Sequence, residues 1–308
     1  MEIKGILVSA IAPFENHIAN GGEKLLGNAS SIKRRPDGRV YVSGQMQRHV
    51  LFSAIDRLNL SDKDKKNTFV SNGDGISNQI ENDLRADMGG FMHPSKGDYS
   101  GRRTAPLSVT PAVALDESEV KNDLLVRIRF DESSDAKDQA LATKEFSQKD
   151  LMYMNFFLDI SALSISKAFQ YENSFNIATK YFKHANENER KRRARLYLEA
   201  TKLMNDYASQ ARNAVSGEPQ KVLIVFDTVL SRKASRYFVA GEQEQKNILT
   251  ELKEREAVYF IGDDTTNESV YLAYKSAFEF LTNENNKLFD PAGGDEEIVT
   301  FQEAFGRE

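Results

Sequence analysis

The run Ile3-Lys4-Gly5-Ile6-Leu7-Val8-Ser9-Ala10-Ile11-Ala12-Pro13-Phe14 decides the fold of this 308-residue chain. It is apolar, β-branched and closed by Pro13, so it reads as a central strand. A polar segment rich in Asn, Gly and Ser follows from Glu15 to Asp37. It ends in Lys33-Arg34-Arg35-Pro36-Asp37-Gly38, where Pro-Asp-Gly signals a tight turn. A short strand is expected over 39–42. Ser43 is then placed to cap a helix reaching about Leu58, because Met46, Val50, Leu51, Ile55 and Leu58 recur at helical spacing.

Residues 61–110 change character: Lys, Asp, Asn, Gly and Ser dominate, and the stretch reads as an insertion without a core of its own. Strands are expected over 106–115 and 120–130, the second with Arg127 and Arg129 on one face. Residues 131–150 read as a charged linker and 152–165 as a strand. Leu196, Ala200, Leu203, Tyr207 and Ala211 share one stripe of a helix over 187–212. Strands over 222–229 and 257–261 and a helix over 269–281 complete the chain, with no internal repeat. Strand, helix, paired strands, helix and strand predict an α+β sandwich of ferredoxin or RNA-recognition type.

Composition narrows the function. With 40% hydrophobic and 28% charged residues, 18 Gly and 7 Pro, the chain is neither collagenous nor broadly disordered. Its purest apolar stretch, Val222 to Phe226, falls far short of the roughly 18 residues a membrane helix needs. The first residues lack the order of a signal peptide, so a cytoplasmic chain is expected. Zero cysteines remove disulfides, zinc ribbons, iron–sulfur clusters and thiol nucleophiles. The net charge of −5 is uneven: residues 1–60 carry 8 basic and 5 acidic groups, whereas residues 283–308 form an acidic tail with 7 acidic and 2 basic. A basic amino-terminal region keeps a phosphate partner open.

The richest constellation is residues 33–49. Lys33, Arg34 and Arg35 precede a Ser43-Gly44 helix start whose free N–H groups suit an anion. Gly44 lets a phosphate approach the backbone, Arg48 offers a planar fork, and Gln45, Gln47 and His49 add neutral hydrogen-bonding groups. The competing reading is a solvated basic loop beside an ordinary capped helix. Arg102 and Arg103, and Arg232, Lys233 and Arg236, are further phosphate candidates or solvated faces. Arg190-Lys191-Arg192-Arg193 opposes the dipole of its helix, which points to an anion or a partner, against the favoured reading of a solvated face. Phe156, Phe157, Phe169, Tyr171 and Phe175 suit either base stacking or core packing. His17, His49, His93 and His184 lack metal-ligand spacing, and neither a G-x-S-x-G elbow nor a Walker A loop occurs. No catalytic residue, metal or cofactor is therefore expected. The aromatic signature of common RNA-recognition domains is also missing.

Taken in order, Gly5 to Phe14, Asn16 to Asn28, Lys33-Arg34-Arg35 and Val40-Tyr41-Val42-Ser43-Gly44-Gln45-Met46-Gln47-Arg48 resemble the amino-terminal region of DevR-type Cas-seven backbone subunits of type I CRISPR Cascade complexes. Arg103 to Ala112, Met154 to Ser161 and Ser231 to Phe238 resemble later stretches of that family. The resemblance implies a modified RNA-recognition palm over 1–60 and 111–282 with a helical fingers region, and a β-hairpin thumb inserted over 61–110. It implies a non-catalytic RNA-binding subunit of subtype I-B that assembles head to tail with its own copies along CRISPR RNA. Such a subunit meets target DNA through the guide and touches other Cascade subunits, with no membrane partner. By the same resemblance Ser43, Gln45 and Arg48 form the RNA-facing helix start, Asn16, His17 and Lys33 to Arg35 the preceding loops, and Phe91 or Met92 the thumb wedge. Family members often carry a second arginine four residues after the first; here that position is Phe52, so a phosphate contact is lost or supplied from elsewhere. The acidic tail has no family counterpart and is expected to pack on a neighbouring subunit. The alternative is a metal-dependent endoribonuclease of the type III kind, using Glu15, Glu23 or Asp37.

Overall fold

A computed structural model describes residues 1–26, 29–72, 77–91, 103–130, 137–293 and 297–305. The amino-terminal run forms β1 (Glu2–Ile3) and β2 (Gly5–His17). Short strands β3 (Glu23–Lys24), β4 (Ser30–Ser31) and β5 (Tyr41–Val42) lead into α1 (Gly44–Ser61). Next come α2 (Leu84–Gly89), β6 (Leu107–Val109), β7 (Ala112–Ala114), β8 (Val120–Phe130) and β9 (Lys137–Asp159). β10 (Ile165–Glu172), β11 (Phe175–Lys183), α3 (Glu187–Lys202) and β12 (Lys221–Asp227) follow. The last part holds a 3-10 helix (Lys233–Val239), α4 (Glu242–Glu254), β13 (Val258–Asp263), α5 (Val270–Thr282), β14 (Lys287–Leu288) and α6 (Phe301–Phe305).

The centre is an antiparallel sheet in the order β13-β12-β2-β9, with β6 and β7 on the far edge of β9. Val8 stands opposite Ile224 on one side and Phe156 on the other. Because strand side chains alternate, Val8, Ala10 and Phe14 share a face with Met154, Phe156, Ile224 and Phe226, and helices α1, α3 and α5 cover it. Fully burying side chains of this size stabilises by roughly 1.5–3 kcal/mol each. Leu7, Phe157, Leu223 and Val225 point the other way, beneath the 3-10 helix and α4. The architecture is a mixed α/β one. Among the described residues no helix is long and apolar enough to cross a membrane.

Four regions differ from the sequence reading. The helix expected over 187–212 ends at Lys202. Residues 137–150 are no linker: they are the first half of β9, which pairs with β8 from Val120 opposite Ser147 to Phe130 opposite Lys137. In this half Leu141 is exposed while Lys144 and Glu145 are half-buried, so no apolar alternation marks it. The strand read over 152–165 stops at Asp159, and β10 and β11 form a second hairpin with a bulge at Gln170/Tyr171. The acidic tail folds back on its own chain, β14 pairing parallel with β1 and Phe301 meeting Phe91 edge to face at 5.1 Å. Between residues 61 and 110 the described parts hold α2, β6 and single bridges joining Phe69 to Asp83 and Phe91 to Arg103.

Candidate nucleic-acid interface

The basic turn is held from below. Asn20 is buried, and its amide nitrogen donates to the carbonyls of Lys33 and Tyr41, each at 3.0 Å, tying the two arms together. At the tip the Gly38 N–H donates to the Arg35 carbonyl at 3.0 Å, with Gly38 at φ +80, a conformation that favours glycine. Arg35 is exposed, and Arg34, 43% exposed, reaches Glu145 at 3.5 Å. Lys33 is half-buried. Asp37 pairs with Arg39 at 2.7 Å, and the Arg39 hydrogen bond holds its carboxyl below the usual range. Glu15 and Glu23 are exposed.

One strand later, the Ser43 hydroxyl accepts the Met46 N–H at 3.2 Å and caps α1 as its sequence requires. A side chain on Gly44 would begin 3.2 Å from the Val109 carbonyl, so this glycine lets the helix start pack against the end of β6. Gln45 and His49 are exposed, His49 lying 3.8 Å from Asp206, which accepts the Ser53 hydroxyl at 2.8 Å. Arg48 is half-buried, donates to the Gly89 carbonyl and lies 5.6 Å from the Phe52 ring centroid. Burial lowers its pKa, and nearby Arg85 acts in the same direction.

Four candidates turn inward and leave the interface. His17 is fully buried, with Nε2 2.7 Å from Asp150 and Nδ1 accepting the Ala19 N–H. Gln47 is fully buried and accepts the Tyr207 hydroxyl at 2.8 Å. Arg103 is buried and donates to the Asp87 carboxylate and to the carbonyls of Asp87, Ala162 and Ile165. Phe91 is buried against Ile80, Ala86 and Phe301, a core position rather than a wedge. Asn16 is exposed in the left-handed region at φ 47, its carbonyl accepting from Asn213 at 2.9 Å. Met92 and Arg102 lie outside the described residues.

The second cationic group sits apart. Arg232 is exposed and stacks 4.7 Å from the Phe157 ring centroid, on the sheet face opposite α1. Lys233 pairs with Glu251, and Arg236 lies 3.9 Å from Glu244. The α3 run finds its anions inside the protein. Arg190 donates to the carbonyls of Leu163, Ile160 and Phe289, Arg192 meets Glu189 at 2.7 Å and Asp62 at 3.2 Å, and Arg193 meets Asp87 at 2.7 Å and Glu189 at 2.8 Å. Asn186 caps the helix by accepting the Glu189 N–H. Sequence reasoning missed Arg85. It stands on α2 with Nε donating to the Ser71 carbonyl at 2.6 Å and its guanidinium 4.7 Å from the Phe52 centroid. A lone arginine in a polar insertion gave no local signal. No group of three or more His, Asp or Glu suited to a metal occurs among the described residues.

Two solved structures share this helix-backed sheet. One is a chain of a "CRISPR RNA-guided surveillance complex", with a TM-score of 0.53 and 16% identity, covering 89% of this chain and 98% of that one. The other belongs to a "CRISPR RNA-guided surveillance complex, pre-nicking", with a TM-score of 0.53 and 13% identity, covering 89% of this chain and 99% of that one. A search of curated proteins finds no match. The fold class is thus that of subunits found in these complexes. The family described as "CRISPR-associated negative auto-regulator DevR/Csa2" matches residues 8–217, more than half of the sequence, and the chain belongs to that family.

Proposed function

We propose that this chain is a non-catalytic backbone subunit of a type I Cascade complex, of subtype I-B, that binds CRISPR RNA. Copies assemble head to tail along the RNA, a heterologous contact that does not close, and hold the guide for pairing with target DNA beside other Cascade subunits. The observation that carries this reading is the exposed basic turn at Arg34 and Arg35, pinned by Asn20 and running through β5 into the Ser43-capped start of α1. Exposed cations on a turn that leads into a helix start suit a phosphate backbone and read no sequence. The order β2, α1, β6 with β7, β9, α3, β12, with both helices on one face, supports an RNA-recognition palm over 1–60 and 111–282. Residues 61–110, which follow α1 and hold α2 and the Phe91–Arg103 bridge, are the proposed thumb insertion.

The test is to express the chain with and without a CRISPR array and its processing enzyme, size the particle and extract its nucleic acid. A large particle holding RNA of discrete length only with the array is the expected result. A nucleic-acid-free monomer under both conditions, and again after the other Cascade subunits are added, overturns it.

A further inference from the structure

Arg48 and Phe52 stand four residues apart on α1 and so share one helix face. α2 brings Arg85 to the same place. The point where a Gly89 side chain would begin lies 2.7 Å from a terminal nitrogen of Arg48, 3.5 Å from the Phe52 ring and 3.6 Å from Cγ of Arg85. Glycine is therefore what allows the three to converge. Phe52 is fully buried, while both arginines stay half-exposed.

Two positive groups are held together here without a counter-charge in contact. Among the described residues no carboxylate lies within 4.0 Å of either guanidinium; Asp83 and Asp56 act on Arg85 only from further away. Each guanidinium carries five N–H donors. Arg48 uses a donor on the Gly89 carbonyl and Arg85 one on the Ser71 carbonyl. The α3 arginines show the contrast, since each finds acids or several carbonyls within the fold. An arginine pair that is partly desolvated, stacked on an aromatic ring and rich in planar donors without a partner among the described residues fits a singly charged phosphodiester with two free oxygens.

We infer that Arg48 and Arg85 clamp a single phosphate of bound RNA, with Arg85 supplying the second cation of the interface. The inference rests on the RNA-binding reading above and adds to it a residue from a different helix. It also gives Phe52 a role, as the surface that positions both forks.

The full chain is titrated with single-stranded RNA across a salt series, unmodified and as Arg48→Ala, Arg85→Ala and the double variant, each checked for an unchanged melting curve. One lost phosphate contact lowers the slope of log K against log salt by about 0.7 for a single strand. Arg85→Ala is expected to lose that amount, and the double variant no more than either single one, because both act on one phosphate. An Arg85→Ala slope equal to the unmodified chain, or losses that add in the double variant, overturns the clamp while the RNA reading stands. Absence of RNA binding by the unmodified chain overturns both. Should the variants misfold, phenylglyoxal labelling of the unmodified chain replaces them. Labelling of Arg48 and Arg85 is expected to fall several-fold when RNA is added, and unchanged labelling at Arg85 overturns the clamp.

Discussion

Arg35 stands exposed on a turn, whereas Arg193, in the equally basic run 190–193, is fully buried between Asp87 and Glu189. Both stretches are clusters of cations in sequence, and their surroundings separate them. The acids that neutralise the α3 run come from Asp62 and Asp87, more than a hundred residues away, and from Glu189 one turn earlier. Asp87 also accepts from Arg103 and from the backbone and hydroxyl of Ser164, each of the latter at 2.7 Å. Burial alone would raise its pKa, yet Arg103 and Arg193 hold it below the usual carboxylate range. Near the turn, Asp37 is taken by Arg39, Glu145 comes within 3.5 Å of Arg34, and among the described residues no carboxylate lies within 4.0 Å of the Lys33 or Arg35 side-chain nitrogens. A cluster whose cations are buried against their counter-charges builds the fold; one whose cations stay exposed with looser partners is available to a partner.

That contrast can be broken in order of size. Asp87→Ala leaves Arg103 and Arg193 buried without their shared carboxylate and is expected to lower stability by about 3–5 kcal/mol in urea denaturation. A loss below about 1 kcal/mol would show that the network is dispensable.

Acid tests the same region. His184 lies between the Val299 carbonyl at 2.7 Å and the Ser166 hydroxyl at 2.8 Å, and burial, with Arg103 nearby, pushes it down to about 4. Since its folded pKa lies below the ordinary value near 6.5, the unfolded chain takes up the proton first. Stability is therefore full above about pH 6.5 and falls by about 3 kcal/mol as pH drops to about 4. The lowered pKa values of Asp87 and Glu189 extend the loss to lower pH in the same direction. His184→Gln is expected to flatten the profile between pH 6.5 and 4, and an unchanged slope there would remove His184 as its cause.

Ser43→Ala removes one cap bond and is expected to cost about 1 kcal/mol in a thermal melt. The smallest stability effect belongs to the turn: replacing Lys33, Arg34 and Arg35 together with alanine should change stability by no more than about 0.5 kcal/mol while flattening the salt dependence of RNA binding. A triple variant that unfolds, or that binds RNA as before, would place the turn in the same class as α3.

Local chemistry was legible in the sequence. The Pro36-Asp37-Gly38 turn, the Ser43 cap and the β12 run stand where their residues put them, because each depends on neighbours a few positions away. Partnership across the chain was not. Gln47 and Arg48 are adjacent on one helix, and only the positions of Tyr207 and Gly89 decide which is interior. Phe91 looked like a wedge because it is apolar in polar surroundings, but Phe301, far along the chain, gives it a core. Tyr207 remains buried although α3 stops at Lys202, so an apolar stripe outlived the helix it was used to extend.

The long strand β9 has a mechanical consequence. Its 23 residues run without interruption from the pairing with β8 into the middle of the sheet, where β2 grips the last half over twelve paired positions. At about 3.3 Å of rise per residue, such a strand is a cantilever clamped at one end. A load applied where β8 pairs with β9 has no loop in which to dissipate along that strand, and is delivered as torque to the layer that α1, the carrier of Arg48, rests upon.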